Sequence, residues 1–331
     1  MMFVTGNWQG GSDILWSYNE FGTHQILEMP PTRYYHNELK LSPDASHFVI
    51  NNNNTWIDTP IYSGNTGIDT QYQPVSVDGS LISSVWSFDS KLLALLYLME
   101  DQSLPHYNLK IALLDSDSQA ISHLPLVIEE VPLTYDLKWS PDGRYLSVAR
   151  SHRKVWLIEL ATDTVHEIDL PFYCAGDGLW KQRWSPHNDW IALHYLSNGA
   201  PGSSNLCLYR NFTSSLDVPI FNTIGSFDWS PDGKYLYFSK YKFNSSYRDS
   251  EAELPYLESQ LFRFNTVSAE ATVVMPLQYS ISELTISPDG KYAVGIVGSG
   301  ESGTMLRIYP ENRLWLCQLH LHEGSPQRIS G

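Results

Sequence analysis

Positive charge is scarce in this chain: 21 Lys and Arg stand against 36 Asp and Glu in 331 residues, a formal net charge of -15. Such a chain repels a phosphate backbone at long range, and no Lys/Arg-rich run offers a local basic patch, so nucleic acid is not expected as a partner. Cysteine is scarcer still. Cys174, Cys207 and Cys317 are odd in number and none stands in a C-x-x-C pair, which excludes a full disulfide framework and metal-type cysteine spacing; they read as buried free thiols. No run of about 18 apolar residues occurs, so membrane insertion is not expected. The opening MMFVTGNWQGGSD lacks a basic n-region and an uninterrupted apolar h-region, so no export signal is read there, and the cytoplasm is favoured over the periplasm or secretion after processing. Helical periodicity is hard to find anywhere.

What is present is a repeat. WSPDGKYLYF (229–238) returns as WSPDGRYLSV at 139, ISPDGKYAVG at 286, LSPDASHFVI at 41, WSPHNDWIAL at 184 and WSFDSKLLAL at 86. The serine of each copy falls at 42, 87, 140, 185, 230 and 287, giving intervals of 45, 53, 45, 45 and 57. Periods of this size with short strands between turns point to propeller blades. Within one copy, Pro231 presets φ at the second turn position, Asp232 can bond nearby backbone, and Gly233 accepts the positive φ that closes a hairpin. Tyr235 and Tyr237 on one face, with Leu236 and Phe238 on the other, suit a strand buried on both sides, and Trp229 is placed to fill the gap between blades.

A second hairpin follows each copy, at 155–170, 206–221 and 261–276, so each repeat reads as four strands, A to D. The longer intervals come from polar inserts between B and C, around 99–107 and 243–259. At the C-terminus, 305–320 reads as a C–D hairpin and 323–331 as a further strand A; at the N-terminus, MMFVTGN reads as B and 13–29 as C and D. The predicted fold is therefore all-β: a seven-bladed β-propeller with four-stranded blades, one domain over 1–331. Its ring is closed by a C-terminal strand A joining N-terminal strands B, C and D.

The (W/I/L)-S-P-D-G-(K/R)-Y motif, full at 139–145, 229–235 and 286–292 and degraded at 41–44, 86–89 and 184–187, resembles the repeat of TolB-like propellers. That repeat also occurs in the propeller domains of prolyl-oligopeptidase-type enzymes and is related in architecture to WD-repeat propellers. The resemblance implies a rigid disc that binds another protein or a ligand, with the turn motif serving structure. The chain has no G-x-S-x-G elbow and no Gly-His and Trp-Asp pair per repeat, so neither a serine hydrolase segment nor WD-repeat partners are implied.

Candidate chemistry is sparse. Gly298-Ser299-Gly300-Glu301-Ser302-Gly303 spells G-x-G-x-x-G, but a strand-like TMLRIY follows where a dinucleotide site needs a helix, and a B–C loop is the better reading. His320 and His322 are weak metal candidates, short of a third ligand, so no metal site and no cofactor is assigned. Asp44, Asp89, Asp142, Asp232 and Asp289 recur in the turn and read as structural, as do the serines, and no catalytic residue is named. Two residues before each serine, on innermost strand A, stand Lys40, Val85, Lys138, Arg183, Asp228, Thr285 and Arg328. Four of these seven are basic, where 21 basic residues in 331 would place fewer than one. Lys40, Lys138, Arg183 and Arg328 could ring the channel and hold an anionic ligand, or each could pair with a carboxylate or carbonyl of a neighbouring blade. At the rim inserts, Tyr241, Phe243, Tyr247 and Tyr256 mix aromatic anchors with charged groups, as partner-binding rims do; a solvated acidic loop is the competing reading. The functional expectation is a non-catalytic scaffold for a protein or peptide. An enzyme with a channel-mouth site, and a propeller domain of a larger enzyme or receptor, are the alternatives.

Overall fold

The computed structural model describes residues 2–5, 13–19, 22–29, 37–52, 61–66, 72–100, 107–124, 128–130, 135–150, 154–170, 178–196, 204–210, 220–222, 224–242, 258–277, 280–298 and 313–318. Among them every regular element is a strand, and the sheets are antiparallel. The chain divides into two compact units, Met1–Val148 with Trp156–Glu167, and Ala149–Val155 with Ile168–Gly331.

The first unit opens with a three-stranded sheet, β1 (Met2–Thr5), β2 (Asp13–Asn19) and β3 (Gly22–Met29), the three strands expected of the N-terminus. Next comes a four-stranded sheet, β4 (Asn37–Leu41), β5 (His47–Asn52), β6 (Ile61–Asn65) and β7 (Tyr72–Val75). In the third sheet, β8 (Ser80–Trp86), β9 (Leu92–Glu100) and β10 (Tyr107–Asp115), the outer strand is split: β11 (Ile121–His123) and β12 (Ile128–Glu130) both pair with β10. The fourth sheet, β13 (Tyr135–Trp139), β14 (Tyr145–Arg150), β15 (Lys154–Glu159) and β16 (Thr164–Asp169), lies chiefly in this unit.

The second unit holds two four-stranded sheets. One is β17 (Gly178–Trp184), β18 (Trp190–Leu196), β19 (Ser204–Arg210) and β20 (Ile220–Asn222); the other is β21 (Ile224–Trp229), β22 (Tyr235–Lys242), β23 (Glu258–Asn265) and β24 (Glu270–Leu277). Its third sheet has β25 (Ser280–Ile286), β26 (Tyr292–Gly298) and β27 (Arg313–Gln318). This last strand corrects an expectation. Residues 313–318 were read as the outer arm of a C–D hairpin, but β27 pairs directly with β26, Tyr292 opposite Gln318, and so takes the third place itself. Apolar alternation identifies a strand there without saying which neighbour it pairs with.

The sheets are held face to face by apolar layers, and β9 shows how. Its Leu93, Leu95 and Tyr97 belong to the core shared with sheet β4–β7, whereas Ala94, Leu96 and Leu98 belong to the core shared with sheet β13–β16. A strand buried on both faces needs an unbroken apolar run, and LLALLYL supplies one. In the second unit β22 does the same: Leu236 and Phe238 pack towards sheet β17–β20, Tyr237 towards sheet β25–β27, as the alternation predicted.

Each inner hairpin is tied by one serine. The Ser230 N–H donates to the Tyr235 carbonyl at 2.8 Å, and the Tyr235 N–H donates back to Ser230 Oγ at 2.9 Å. The hydroxyl proton goes to the aspartate two residues on: Ser42 to Asp44 and Ser87 to Asp89 at 2.7 Å, Ser140 to Asp142 at 2.6 Å, Ser230 to Asp232 at 2.7 Å and Ser287 to Asp289 at 2.6 Å. The fourth residue closes the turn with positive φ: 71° at Gly143, 63° at Gly233 and 70° at Gly290. The degraded copies hold the same shape without glycine, at 58° for Ala45 and 63° for Ser90, whose side chains dislike it, and at 64° for Asn188, which tolerates it. Ala45→Gly should therefore stabilise the chain by about 0.5–1 kcal/mol and Gly143→Ala should cost about 1–2 kcal/mol, read as shifts in urea midpoint. A Cβ at Gly143 meets nothing within 4 Å, so that cost isolates the backbone, whereas Gly233→Ala also drives a Cβ to 2.9 Å from the His187 ring and should cost more.

Candidate functional site

The inner strands present the position that was read as a possible cationic ring, and its backbone is engaged first. Trp86 Nε1 donates to the Lys40 carbonyl at 3.4 Å, Trp139 Nε1 to the Val85 carbonyl at 2.9 Å, and Trp229 Nε1 to the Arg183 carbonyl at 3.2 Å. Each tryptophan is buried, 3 to 7% exposed, so it fills the space between sheets while its one polar atom reaches the inner strand next door. The side chains of this position are engaged as well. Lys40 Nζ donates to the Ser84 carbonyl at 3.1 Å, and Lys138 Nζ lies 2.8 Å from Asp136 Oδ1 on its own strand. Arg183 forms an ion pair with Asp228, the residue at the equivalent position of the next sheet. Arg328 lies outside the described residues, as do Phe243, Tyr247, Tyr256, His320 and His322. Tyr241 is in β22, paired with Ser259.

Asp228 is the centre of this arrangement. Its Oδ1 takes Arg183 and the Trp229 N–H at 2.9 Å, and its Oδ2 takes the Ile286 N–H at 2.8 Å. Ile286 stands where four of the five other copies carry tryptophan, so no indole can reach back from β25; a carboxylate reaches forward from β21 instead. Sequence reading placed Asp228 among the seven equivalent positions but had no signal for its partners. The pair is partly buried, 30% and 12% exposed at the side chains, where losing one charge strands the other.

The turn aspartates are committed to structure. The Ser287 hydroxyl and then the Lys291 N–H hold the Asp289 carboxyl below its ordinary range, and the Ser87 hydroxyl does the same for Asp89. Asp44, bonded first by the Ser46 N–H and then by the Ser42 and Ser46 hydroxyls, is shifted furthest down. Among the described residues no cluster of three or more His, Cys, Asp or Glu side chains could hold a metal ion. Cys207 corrects another expectation: it is disulfide-bonded and not a free thiol. An odd cysteine count excludes pairing all three but not two, and spacing does not say which ones the fold brings together. Sequence reading also missed His194, which belongs to no motif yet is 2% exposed in β18.

No family model matches the chain. A curated relative from Sulfurisphaera tokodaii, provisionally named a Tricorn-like protease C-terminal subunit, is 26% identical over 189 residues. The match covers 53% of this chain and only 22% of that protein. Among solved structures the chain is similar to a protein from Bacteroides uniformis provisionally named 6-phosphogluconolactonase, with a TM-score of 0.55, 13% identity, and 99% of this chain and 94% of that one covered. It is also similar to hydrazine synthase from Kuenenia stuttgartiensis, with a TM-score of 0.54, 16% identity, and 78% and 72% covered. At these identities the likeness is one of fold, all-β and of the propeller type.

Asp228→Ala should destabilise the chain by about 2–4 kcal/mol, because it strands the Arg183 charge and two backbone donors, whereas Lys138→Met should cost under about 1 kcal/mol. Equal losses in chemical denaturation would contradict the central place of Asp228. Folding favours the ionised form of the turn carboxylates, so their contribution is present above pH ~4 and is lost as pH falls below it. The urea midpoint should drop between pH 5 and pH 3, and the Asp89→Asn/Asp289→Asn double variant should drop less steeply than the parent.

Proposed function

We propose that the chain is a non-catalytic propeller that binds a protein or peptide partner on the face carrying the inner-hairpin turns. One observation carries this reading: Phe88 is 60% exposed, at a turn position where the five other copies have proline. The fold has no use for an aromatic ring in water there, and exposed aromatic residues are the usual anchors of recognition surfaces. The Ser–Asp pairs beside it are spent on the turn itself, which argues for a scaffold over a catalyst.

The finer architecture belongs to the same proposal: one domain, seven blades, closed into a ring at the termini. What supports it is that the described strands divide into seven antiparallel sheets, and that β1–β3 has the three strands expected of a blade lacking its inner one. Residues 323–331, the proposed closing strand, lie outside the described residues. The rim of Tyr241, Phe243, Tyr247 and Tyr256 would extend the binding surface. An anionic group in the channel would have to compete for Lys40, Lys138 and Arg183 with the partners they already have, and Lys138, whose side chain is 39% exposed, is more open than Arg183 at 30%. The protease-like name of the curated relative favours a second reading, a docking or gating propeller of a larger enzyme, since the match covers so little of that protein.

The test is selection of the purified chain against a random peptide library, with hits measured by fluorescence polarisation. Peptides should bind the parent chain at least about tenfold tighter than Phe88→Ser, a change that leaves thermal stability intact at so exposed a position. Hits that bind both proteins equally, or a library with no hits, would sink this reading; hydrolysis of reporter peptides by the chain alone would sink the non-catalytic part of it.

A further inference from the structure

His194 sits in β18 on the face that packs against sheet β21–β24, with its ring edge-on to Phe227 at 6.0 Å. One ring nitrogen donates to the Ile224 carbonyl, which also receives the Ser204 hydroxyl at 2.5 Å. The other, Nε2, is buried with no hydrogen-bond partner. A neutral imidazole tolerates this, because a lone pair left without a donor costs little beside a buried charge. An imidazolium does not: the new N–H would be buried without an acceptor, beside an apolar layer to which Phe227 belongs with Ala192, Leu206, Ile224 and Phe238.

The charged groups around the ring offer no relief. From β17, Lys181 stands over the Phe227 ring at 6.0 Å, and its charge acts against protonation of His194. From β22, Lys240 lies on the same face as Phe238. From β19, Arg210 stacks over Trp190 at 5.7 Å, at the far end of the strand. On β21 the acid is Asp228, already bound to Arg183 and to two backbone N–H groups. Burial, first, and Lys181 hold His194 down to about pKa 4 from an ordinary 6.5.

We propose that His194 is an acid-sensitive latch between sheets β17–β20 and β21–β24: proton uptake at Nε2 opens this seam while the other sheet-to-sheet layers stay closed. The sign is that of a buried neutral histidine. Its contribution is complete above pH ~6.5 and is lost progressively as pH falls towards 4, above the range in which the turn carboxylates titrate.

Hydrogen-exchange mass spectrometry on the full chain at pH 7.0 and pH 4.5, corrected for intrinsic exchange rates, tests this. Protection of β18 and β21 peptides should fall at least about tenfold at the lower pH, with β9 peptides unchanged, and both His194→Phe and His194→Gln should abolish the fall. Equal loosening of β9, no loosening of β18 and β21, or the same loosening in either variant would overturn the latch. Should neither variant fold, NMR titration of the His194 ring in the parent chain decides: titration together with the exchange of β18 supports it, and independent titration near pH 6.5 overturns it.

Discussion

The bond from a tryptophan indole to the inner-strand carbonyl of the preceding sheet sets the spacing of this molecule. An antiparallel sheet satisfies its interior backbone, but an edge strand leaves carbonyls without a ladder partner, and a purely apolar layer between sheets could slide. The indole solves both problems, since its ring fills the layer and its single N–H can be satisfied only at one height and one distance. Trp86, Trp139 and Trp229 each pin one sheet to the last in this way. The serine clamp of the next turn then starts one residue further on, so sheet spacing and hairpin geometry are set together.

At Ile286, where the tryptophan is missing, the chain does not leave the position empty. Ile286 keeps the apolar filling, and Asp228 takes over the polar duty by accepting the Ile286 N–H directly. The substitution requires a compensating charge, and Arg183 supplies it. The cluster of cations two residues before the turn serines is thus in part the counterpart of this replacement. Among the described residues, Lys40, Lys138 and Arg183 are bound to carbonyls and carboxylates of the scaffold, the arrangement that low dielectric demands of charges near an interior.

How far the sequence could be read follows from the range of each interaction. The hairpin at 229–238 was legible because its Pro, Asp and Gly act within a few residues, and so was the division of Leu236 and Phe238 from Tyr237, since alternation is local. The place of β27 was not, because an apolar run carries no label for its pairing partner. Asp228 was visible only as one of seven equivalent positions, because its bond to Ile286 spans 58 residues and leaves no trace in spacing. His194 was silent altogether: a histidine in an apolar strand looks the same whether it faces water or a neighbouring sheet. Cys207 shows the same limit, since oxidation depends on a meeting that only the fold arranges.

The strand β9 divides its side chains strictly between two layers, odd-numbered residues to one sheet and even-numbered residues to another. Leu95 and Leu96 are covalent neighbours that share no packing partner layer. The repeats of such a chain can therefore drift face by face: a change at one position asks for a matching change in the facing sheet and little from the residue beside it.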